Sequence, residues 1–495
     1  MTRYVAIDLG AESGRVMVGT FTGERVALEE AYRFANTPVR VADGLHWDVL
    51  RLYSEALTGL RAVVERHGGV ISGIGVDAWG VDFGLLDAGG RLLGNPYHYR
   101  DARTDGLPEE AARRVSPAEQ YARTGIAPLP INTLYQLLAL ARGDDRSLER
   151  ARSLVMIPDL LHYWLSGEIA AERTNASTTG ALATDGTWAR DLTRRLGIPA
   201  HMLLEPSVAG HVLGALRAGV RQESGLGAAP VILPATHDTA CAIVAIPAKP
   251  VRAGDCDAYI SSGTWSLLGI ELERPVLSEG ARLAGFTNET GVGDRFLFHA
   301  NIMGLWLVQE CRRTWARGGL SLGYAELMAR AAAVPSPGVV IDVGDPAFLH
   351  PDDMPAAIGR QLACAGQPSV ADPPAVVRAV LEGLALTYRL ALEQAERLTG
   401  LRVRTVRVVG GGARNSLLCQ LTADACQRPV LAGPFEATAL GNVLVQAMGT
   451  GALRGLAEAR EIARASADIQ SYDPGATVDW DHRRAYLLAR RASRA

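Results

Sequence analysis

The chain has 495 residues, 48% of them hydrophobic and 21% charged, with a formal net charge of −3. That length exceeds what one core supports, so two or more domains are expected. The near-neutral balance gives no field for nucleic acid or an anionic membrane surface, and no run of about 18 apolar residues is present to span a bilayer.

Residues 4–20 read as a β-hairpin. Tyr4-Val-Ala-Ile-Asp8 and Arg15-Val-Met-Val are apolar runs, and Gly10, Ala11, Glu12, Ser13 and Gly14 form the turn between them. Successive backbone N–H groups at such a tip make a concave nest for a phosphate oxygen. Asp8 ends the first run and has two readings: a turn-former, or a carboxylate that holds Mg²⁺ through water. No basic and apolar leader precedes the first strand, so a cytoplasmic location is expected. Short strands are expected at 25–33 and 46–48, and an amphipathic helix over 48–67. Val70–Asp77 is a buried strand that feeds the turn Ala78-Trp79-Gly80-Val81-Asp82. Helices are expected at 132–142 and at 155–166, the second entered at Pro158-Asp159. Asn175-Ala-Ser177 fits a glycosylation sequon, discounted because nothing else points to secretion.

Val231-Ile-Leu-Pro leads into Ala235-Thr-His237-Asp238-Thr239-Ala240, a polar junction between strand and helix. Asp238 is there either as an acceptor for a hydroxyl proton or as a helix N-cap. Pro247–Pro250 reads as a linker. A second hairpin follows at 257–270, with Ser261, Ser262, Gly263 and Thr264 at its tip. A helix is expected over 301–317, mostly apolar with Asn301 and Gln309 as polar exceptions, and another over 375–399. The strand 405–409 runs into Gly410-Gly411-Gly412, where glycine permits close approach of a nucleotide, and a helix is expected over 415–426. GGGARN lacks the GxGxxG spacing of a dinucleotide site. Glu436–Gly441 enters a helix of small residues, open to an adenine ring or to plain helix packing. Residues 481–495 read as a terminal helix free to fray.

Lys249 is the only lysine, which excludes a GxxxxGK[ST] phosphate loop. The six cysteines form no CxxC or CxxH pair, so they read as reduced core thiols and not as a zinc site. Two similar hairpin tips, half a chain apart, suggest two similar lobes.

As an ordered set, DLGAESGR, DAWGVDFGLLD (77–87), YRDART, TNASTTG, HDTA, SSGTWSL, NIMGLWLVQ, VVGGGARN and EATALGN resemble the FGGY carbohydrate kinases. The resemblance runs from residue 4 to about 450. It implies an α/β chain with the duplicated actin-like ATPase (ribonuclease H-like) fold, two lobes around a central cleft. Residues 1–246 would be the N-terminal lobe, 247–250 the linker, 251–450 the nucleotide lobe and 451–495 a helical extension.

Carried over by position, the resemblance implies that Asp238 is the catalytic base. Ala11, Glu12, Ser13, Gly14 and Arg15 match the first phosphate loop, and Thr264, Gln309 and Gly411 match further ATP contacts. Gly80, His237, Asp238, Thr239 and Asn301 match sugar contacts, and Asp8 resembles the residue that holds Mg²⁺. Glu12 departs from the small residues of relatives and puts a carboxylate in that loop. Within the family, the segments at 77–87, 235–240, 261–269 and 301–310 resemble a branch that phosphorylates a ketose on O1 with ATP and Mg²⁺. The nearest alternatives are other sugar kinases of the family, then a non-kinase actin-like ATPase. The implied partners are a small ketose and Mg-ATP, with neither nucleic acid nor membrane, and no oligomeric state is implied.

Overall fold

The computed structural model describes all residues except 43, 144–145, 248–251, 350, 476–477 and 494–495. Packing divides the chain into two units, each assembled from separated segments: Met1–Ala248, Glu271–Phe298 and Glu436–Ala467 in the first, and Lys249–Ile270, His299–Phe435 and Asp468–Ala495 in the second. Of the expected linker, only Pro247 lies within the described residues.

The first unit is built on the hairpin at the start of the chain. Thr2–Leu9 and Ser13–Phe21 pair antiparallel, and Val26–Ala35 pairs antiparallel with the second of them. On the other side of Thr2–Leu9 lie Gly73–Ala78 and Pro230–Ile232, both parallel, and then Val212–Ala215, antiparallel. Alternation along Ser13–Phe21 sends side chains to both faces. On one face, a Cβ on Gly59 of the helix Val49–His67 would come within 2.2 Å of Val16. On the other face, a Cβ on Gly19 would come within 2.6 Å of Val443 of the helix Ala437–Gly449. The sheet is therefore a filled layer between helices. Val49–His67 is helical because Leu52, Ala56, Leu57, Leu60 and Val63 recur at three- and four-residue spacing and are buried, each burial of a Leu being worth about 1.5–3 kcal/mol. Asp48 caps it by accepting from Arg51 N, and Gly68 at φ 76° ends it.

The second unit repeats the sheet. Asp255–Ser262 and Trp265–Leu272 form the antiparallel hairpin, Arg402–Val409 and Val430–Ala432 follow in parallel, and Gln470–Tyr472 closes the edge antiparallel. Phe296–Met303 lies beside the second strand of the hairpin, as Val26–Ala35 does in the first unit. Hairpin, third strand, two parallel strands and an antiparallel edge thus occur in the same order twice. That is the duplicated actin-like fold expected from the two hairpin tips.

Several expected elements are corrected. The helix expected over 301–317 is a strand, Phe296–Met303, followed by a helix, Trp306–Arg317. Asn301 is therefore on the strand, and Gly304 makes the break, its N–H donating to Thr264 O at 3.1 Å. The helix expected from 155 begins at Ile157, because Ser153–Met156 pairs with Phe83–Leu86. The strand expected at 46–48 is Gly44–His46. The terminal helix is Trp480–Ala492, anchored by the buried Leu487 and by Arg483, which donates to Glu382 at 2.7 Å. Among the described residues, no helix is long and apolar enough to cross a membrane.

Candidate active site

Thr236, near the start of the polar segment at 235–239, is held by groups from elsewhere in the first unit. Glu172 is fully buried and its Oε2 accepts from Thr236 N and Thr236 Oγ1, both at 3.0 Å, and from Thr174 N at 3.0 Å. Asn175 Nδ2 donates to Thr236 O at 3.2 Å and to Trp79 O at 3.4 Å. Ala78 N also donates to Thr236 O, at 2.9 Å. These bonds set the Trp79-Gly80 turn beside Thr236-His237-Asp238. Asn175 is wholly buried, which removes it as a glycosylation acceptor.

His237 occupies the N-cap position of the helix Asp238–Val244 and makes no side-chain cap. Asp238 is the first helical residue, so its N-cap reading is corrected. Its side chain is 31% exposed, against 7% for His237, leaving the carboxylate reachable. Thr239, buried, donates from Oγ1 to Asp238 Oδ1 at 3.2 Å. His237 lies between two carboxylates, with Nδ1 3.0 Å from Glu289 Oε2 and Nε2 3.4 Å from Asp238 Oδ1. Burial pulls its pKa down, but Glu289 first and Asp238 next outweigh burial and hold it at about 8. Asp238 is raised by burial and by Asp8, with His237 opposing.

The Gly80 turn is built tightly. A Cβ on Gly80 would meet Thr178 at 2.9 Å. Val81 adopts φ 67°, a left-handed conformation unusual for a β-branched residue. It is held there by Thr178 Oγ1, which accepts from Val81 N at 2.9 Å, and by Thr133 Oγ1, which donates to Val81 O at 2.6 Å. Beneath it Asp82 accepts from Trp47 Nε1 at 2.6 Å, Trp79 Nε1 at 2.9 Å and Gln136 Nε2 at 2.9 Å. Burial raises Asp82 to a pKa of about 6 against those hydrogen bonds.

Asp8 and Asp77 are partners in register on neighbouring parallel strands. Arg15 donates from Nε to Asp8 Oδ2 at 3.0 Å and also pairs with Glu436. Asp77 is fully buried; it accepts from Asn442 Nδ2 at 2.6 Å through Oδ2, while Oδ1 has no hydrogen-bond partner. Burial raises both carboxyls, and Asp77 is pushed further by Asp8. The turn from Gly10 to Ser13 is closed by Gly10 N donating to Ser13 O at 2.9 Å, with Ala11 and Glu12 partly exposed at its tip. Gly14 is glycine for packing: a Cβ would sit 2.2 Å from Phe34.

The small residues after Glu436 also have a packing reason. A Cβ on Gly441 would lie 1.8 Å from the backbone oxygen of Cys241. The helix Ala437–Gly449 thus presses on Asp238–Val244, which gives Gly441 a packing reason.

In the second unit, Thr264 O accepts from Gly304 N and from Trp306 N at 3.2 Å, which docks the second hairpin tip on the helix that carries Gln309. Gln309 Oε1 is buried with no hydrogen-bond partner. Gly410 takes φ 81° and a Cβ on Gly412 would strike Ser262 Oγ at 1.9 Å, whereas a Cβ on Gly411 would meet nothing within 4 Å. The first unit thus gathers Asp8, Ala11–Arg15, Gly80, His237, Asp238 and Thr239. The second carries Thr264, Asn301, Gln309 and Gly411. Sequence reasoning missed Asp77, Glu172, Glu289 and Glu436. Only Asp77 had a local signal, a carboxylate interrupting a buried strand.

Profiles of known families decide the membership. Residues 3–245 match the N-terminal domain and residues 258–450 the C-terminal domain of the FGGY family of carbohydrate kinases. The chain belongs to the FGGY family of carbohydrate kinases. It is 39% identical to a rhamnulokinase of Bacteroides thetaiotaomicron over 479 residues, 97% of each chain. It is 41% identical to a rhamnulokinase of Pectobacterium atrosepticum over 480 residues, 96% of this chain and 94% of that one. The fold matches a ligand-bound xylulose kinase from Lactobacillus acidophilus with a TM-score of 0.80 at 16% identity, covering 100% of this chain and 99% of that one. It matches Plasmodium falciparum glycerol kinase with ADP at 0.75 and 15% identity, covering 100% and 97%. This FGGY chain is accordingly a sugar phosphotransferase with ATP as co-substrate.

Proposed function

We propose that this kinase transfers the γ-phosphoryl group of ATP to O1 of L-rhamnulose, giving L-rhamnulose 1-phosphate and ADP, in rhamnose catabolism in the cytoplasm. The observation that carries the reading is a carboxylate, Asp238, left reachable at the head of a helix and flanked by His237 and Thr239. Similarity to rhamnulokinases over nearly the whole length supports the sugar.

In the reaction the O1 hydroxyl attacks the γ-phosphorus, the O1–P bond forms, and the bond from phosphorus to the β–γ bridging oxygen breaks. Asp238 takes the O1 proton as the hydroxyl attacks, help worth roughly 10²–10⁴-fold. Thr239 Oγ1 fixes the carboxylate. Gly80, His237 and Asn301 hold the sugar's hydroxyls. Ala11, Glu12, Ser13, Gly14 and Arg15 line the first phosphate loop, and Thr264, Gln309 and Gly411 hold the nucleotide. Arg15 pairs with Asp8 and Glu436 and offsets part of their negative charge beside that loop.

The residues fit a Mg²⁺ ion. Asp8 and Asp77 sit side by side, and Asp77 Oδ1 has no hydrogen-bond partner. Among the described residues no group of three or more His, Cys, Asp or Glu side chains has metal-holding geometry. A hard cation here would therefore be held by Asp8, and by Asp77 beside it, largely through its own water shell. It supplies neutralisation of phosphate charge.

Asp238→Asn tests the base. The cap position is His237, so the substitution leaves the helix start intact and the melting temperature should barely move. Turnover should fall roughly 10²–10⁴-fold. A folded variant that keeps more than about a tenth of wild-type kcat removes Asp238 from that role. A sugar panel tests the substrate: by kcat/KM, L-rhamnulose should exceed D-xylulose, L-fuculose and glycerol by about tenfold or more. A reversed order would reassign the sugar and leave the kinase chemistry standing.

A further inference from the structure

We propose that Glu289 is the positioning residue of the sugar site: its carboxylate faces Nδ1 of His237 and holds the ring with Nε2–H turned toward Asp238 and the sugar's oxygens. The inference rests on the reading of His237 and Asp238 given above.

The geometry is a line of three groups from two elements, a strand and the start of a helix. Glu289 lies on the strand Phe286–Thr290, His237 caps a helix and Asp238 begins it. Glu289 Oε2 is 3.0 Å from His237 Nδ1, and His237 Nε2 is 3.4 Å from Asp238 Oδ1. A histidine with a carboxylate at each nitrogen has both protonated, so neither ring nitrogen can accept. The ring is then a fixed cation whose only movable donor is Nε2–H. Such a donor can hold a sugar oxygen beside the base and, by its charge, favour the ionised form of Asp238.

The strand that carries Glu289 is pinned to the same framework. Thr290 N donates to Ser177 Oγ at 2.9 Å, and Asn288 N donates to Gly125 O at 2.8 Å. His237 N donates to Thr174 Oγ1 at 3.2 Å, so backbone and ring are both fixed. The charged groups that face His237 are Glu289 from the strand, Asp238 from its own helix and Glu172 from the strand Ala171–Glu172, where it caps the helix Arg173–Ser177. All three are acidic and Glu289 acts most strongly.

Glu289→Gln keeps the size and an acceptor oxygen but removes the charge, and Glu289→Asp keeps the charge on a shorter stem. The measurement is kcat/KM for the sugar against pH, with KM for sugar and for ATP taken separately. The wild-type profile should fall off on the alkaline side near pH 8. Glu289→Gln should move that limb down by about one pH unit or more and raise the sugar KM about tenfold, with the ATP KM unchanged. Glu289→Asp should leave the limb in place and raise only the sugar KM. A limb that stays put in a folded Glu289→Gln, or that moves in Glu289→Asp, overturns the inference; so does an equal rise in both KM values. Failure of Asp238 as base shows separately, in retained turnover of Asp238→Asn. The Glu289 inference fails alone when Asp238→Asn is inactive and the Glu289 variants behave as wild type.

Discussion

The charge on His237 has a cost in water exclusion that Glu289 offsets, and the balance can be read in stability as well as in rate. The folded pKa of about 8 lies above the ordinary 6.5, so the folded state binds this proton more tightly than the unfolded chain. A raised histidine contributes stability that is fully present below pH 6.5 and lost as pH rises through about 8. The contribution is about 2 kcal/mol at most, one pKa unit being worth about 1.4 kcal/mol. Urea unfolding at pH 6 and pH 9 should show wild type losing up to about 2 kcal/mol over this interval through His237, and Glu289→Gln losing little of it. Equal losses in the two proteins would dissociate the ring's charge from Glu289. Asp82 has the opposite meaning. Its raised pKa of about 6 means that burial outweighs the hydrogen bonds from Gln136, two indoles and Tyr99 N that favour its charged form.

Among elements, the pair Asp238–Val244 and Ala437–Gly449 governs how well Asp238, the proposed base, is placed. The second helix approaches so closely that Gly441 has no room for a Cβ, and the atom in the way is main chain, which cannot rotate aside. Gly441→Ala should therefore destabilise by about 3 kcal/mol, the upper part of the range for overpacking. It should also lower kcat, because Cys241 N is bonded to His237 O at 3.0 Å and a shifted turn carries the head of the helix with it. Gly359 is the contrast. It lies inside the helix Met354–Cys364 with nothing within 4 Å of its would-be Cβ. Gly359→Ala should stabilise by about 0.5–1 kcal/mol with turnover unchanged. Chemical denaturation of both variants checks the pair; a Gly441→Ala protein as stable as wild type would mean the helices can part without cost.

For the molecule as a whole, the repeated sheet divides the work. The first unit carries Asp238, the proposed base, with His237, the Gly80 turn and Ala11–Arg15, and the second carries Asn301, Thr264, Gln309 and Gly411. A variant at a proposed nucleotide contact should then move the KM for ATP apart from the KM for sugar. Gly411→Val should fold normally, because a Cβ there meets nothing within 4 Å. It should raise the KM for ATP about tenfold while the KM for sugar holds, since a branched chain would fill the space where backbone meets nucleotide. An unchanged ATP KM would take the glycine loop out of nucleotide binding.

The sequence alone determined the two hairpins, because strand alternation and a tip of small residues are local properties. It also determined the family, through motifs whose order survives along the chain, and the helix at 49–67, whose apolar stripe has one clear period. It misjudged Asn301, because Phe-Leu-Phe-His-Ala-Asn-Ile-Met satisfies both helical and extended periods, and only pairing in the sheet decides between them. It left Asp238 divided between cap and base, because both need a carboxylate at a helix start; the backbone puts the cap one residue earlier. The small residues at 437–441 were ambiguous for a similar reason, and the main chain of Cys241 gives Gly441 its packing role. Glu289, Glu172 and Asp77 are what only the tertiary structure decided. Each is a single acidic residue whose meaning comes from a partner far along the chain, and charge acts through distance in space, not separation in sequence.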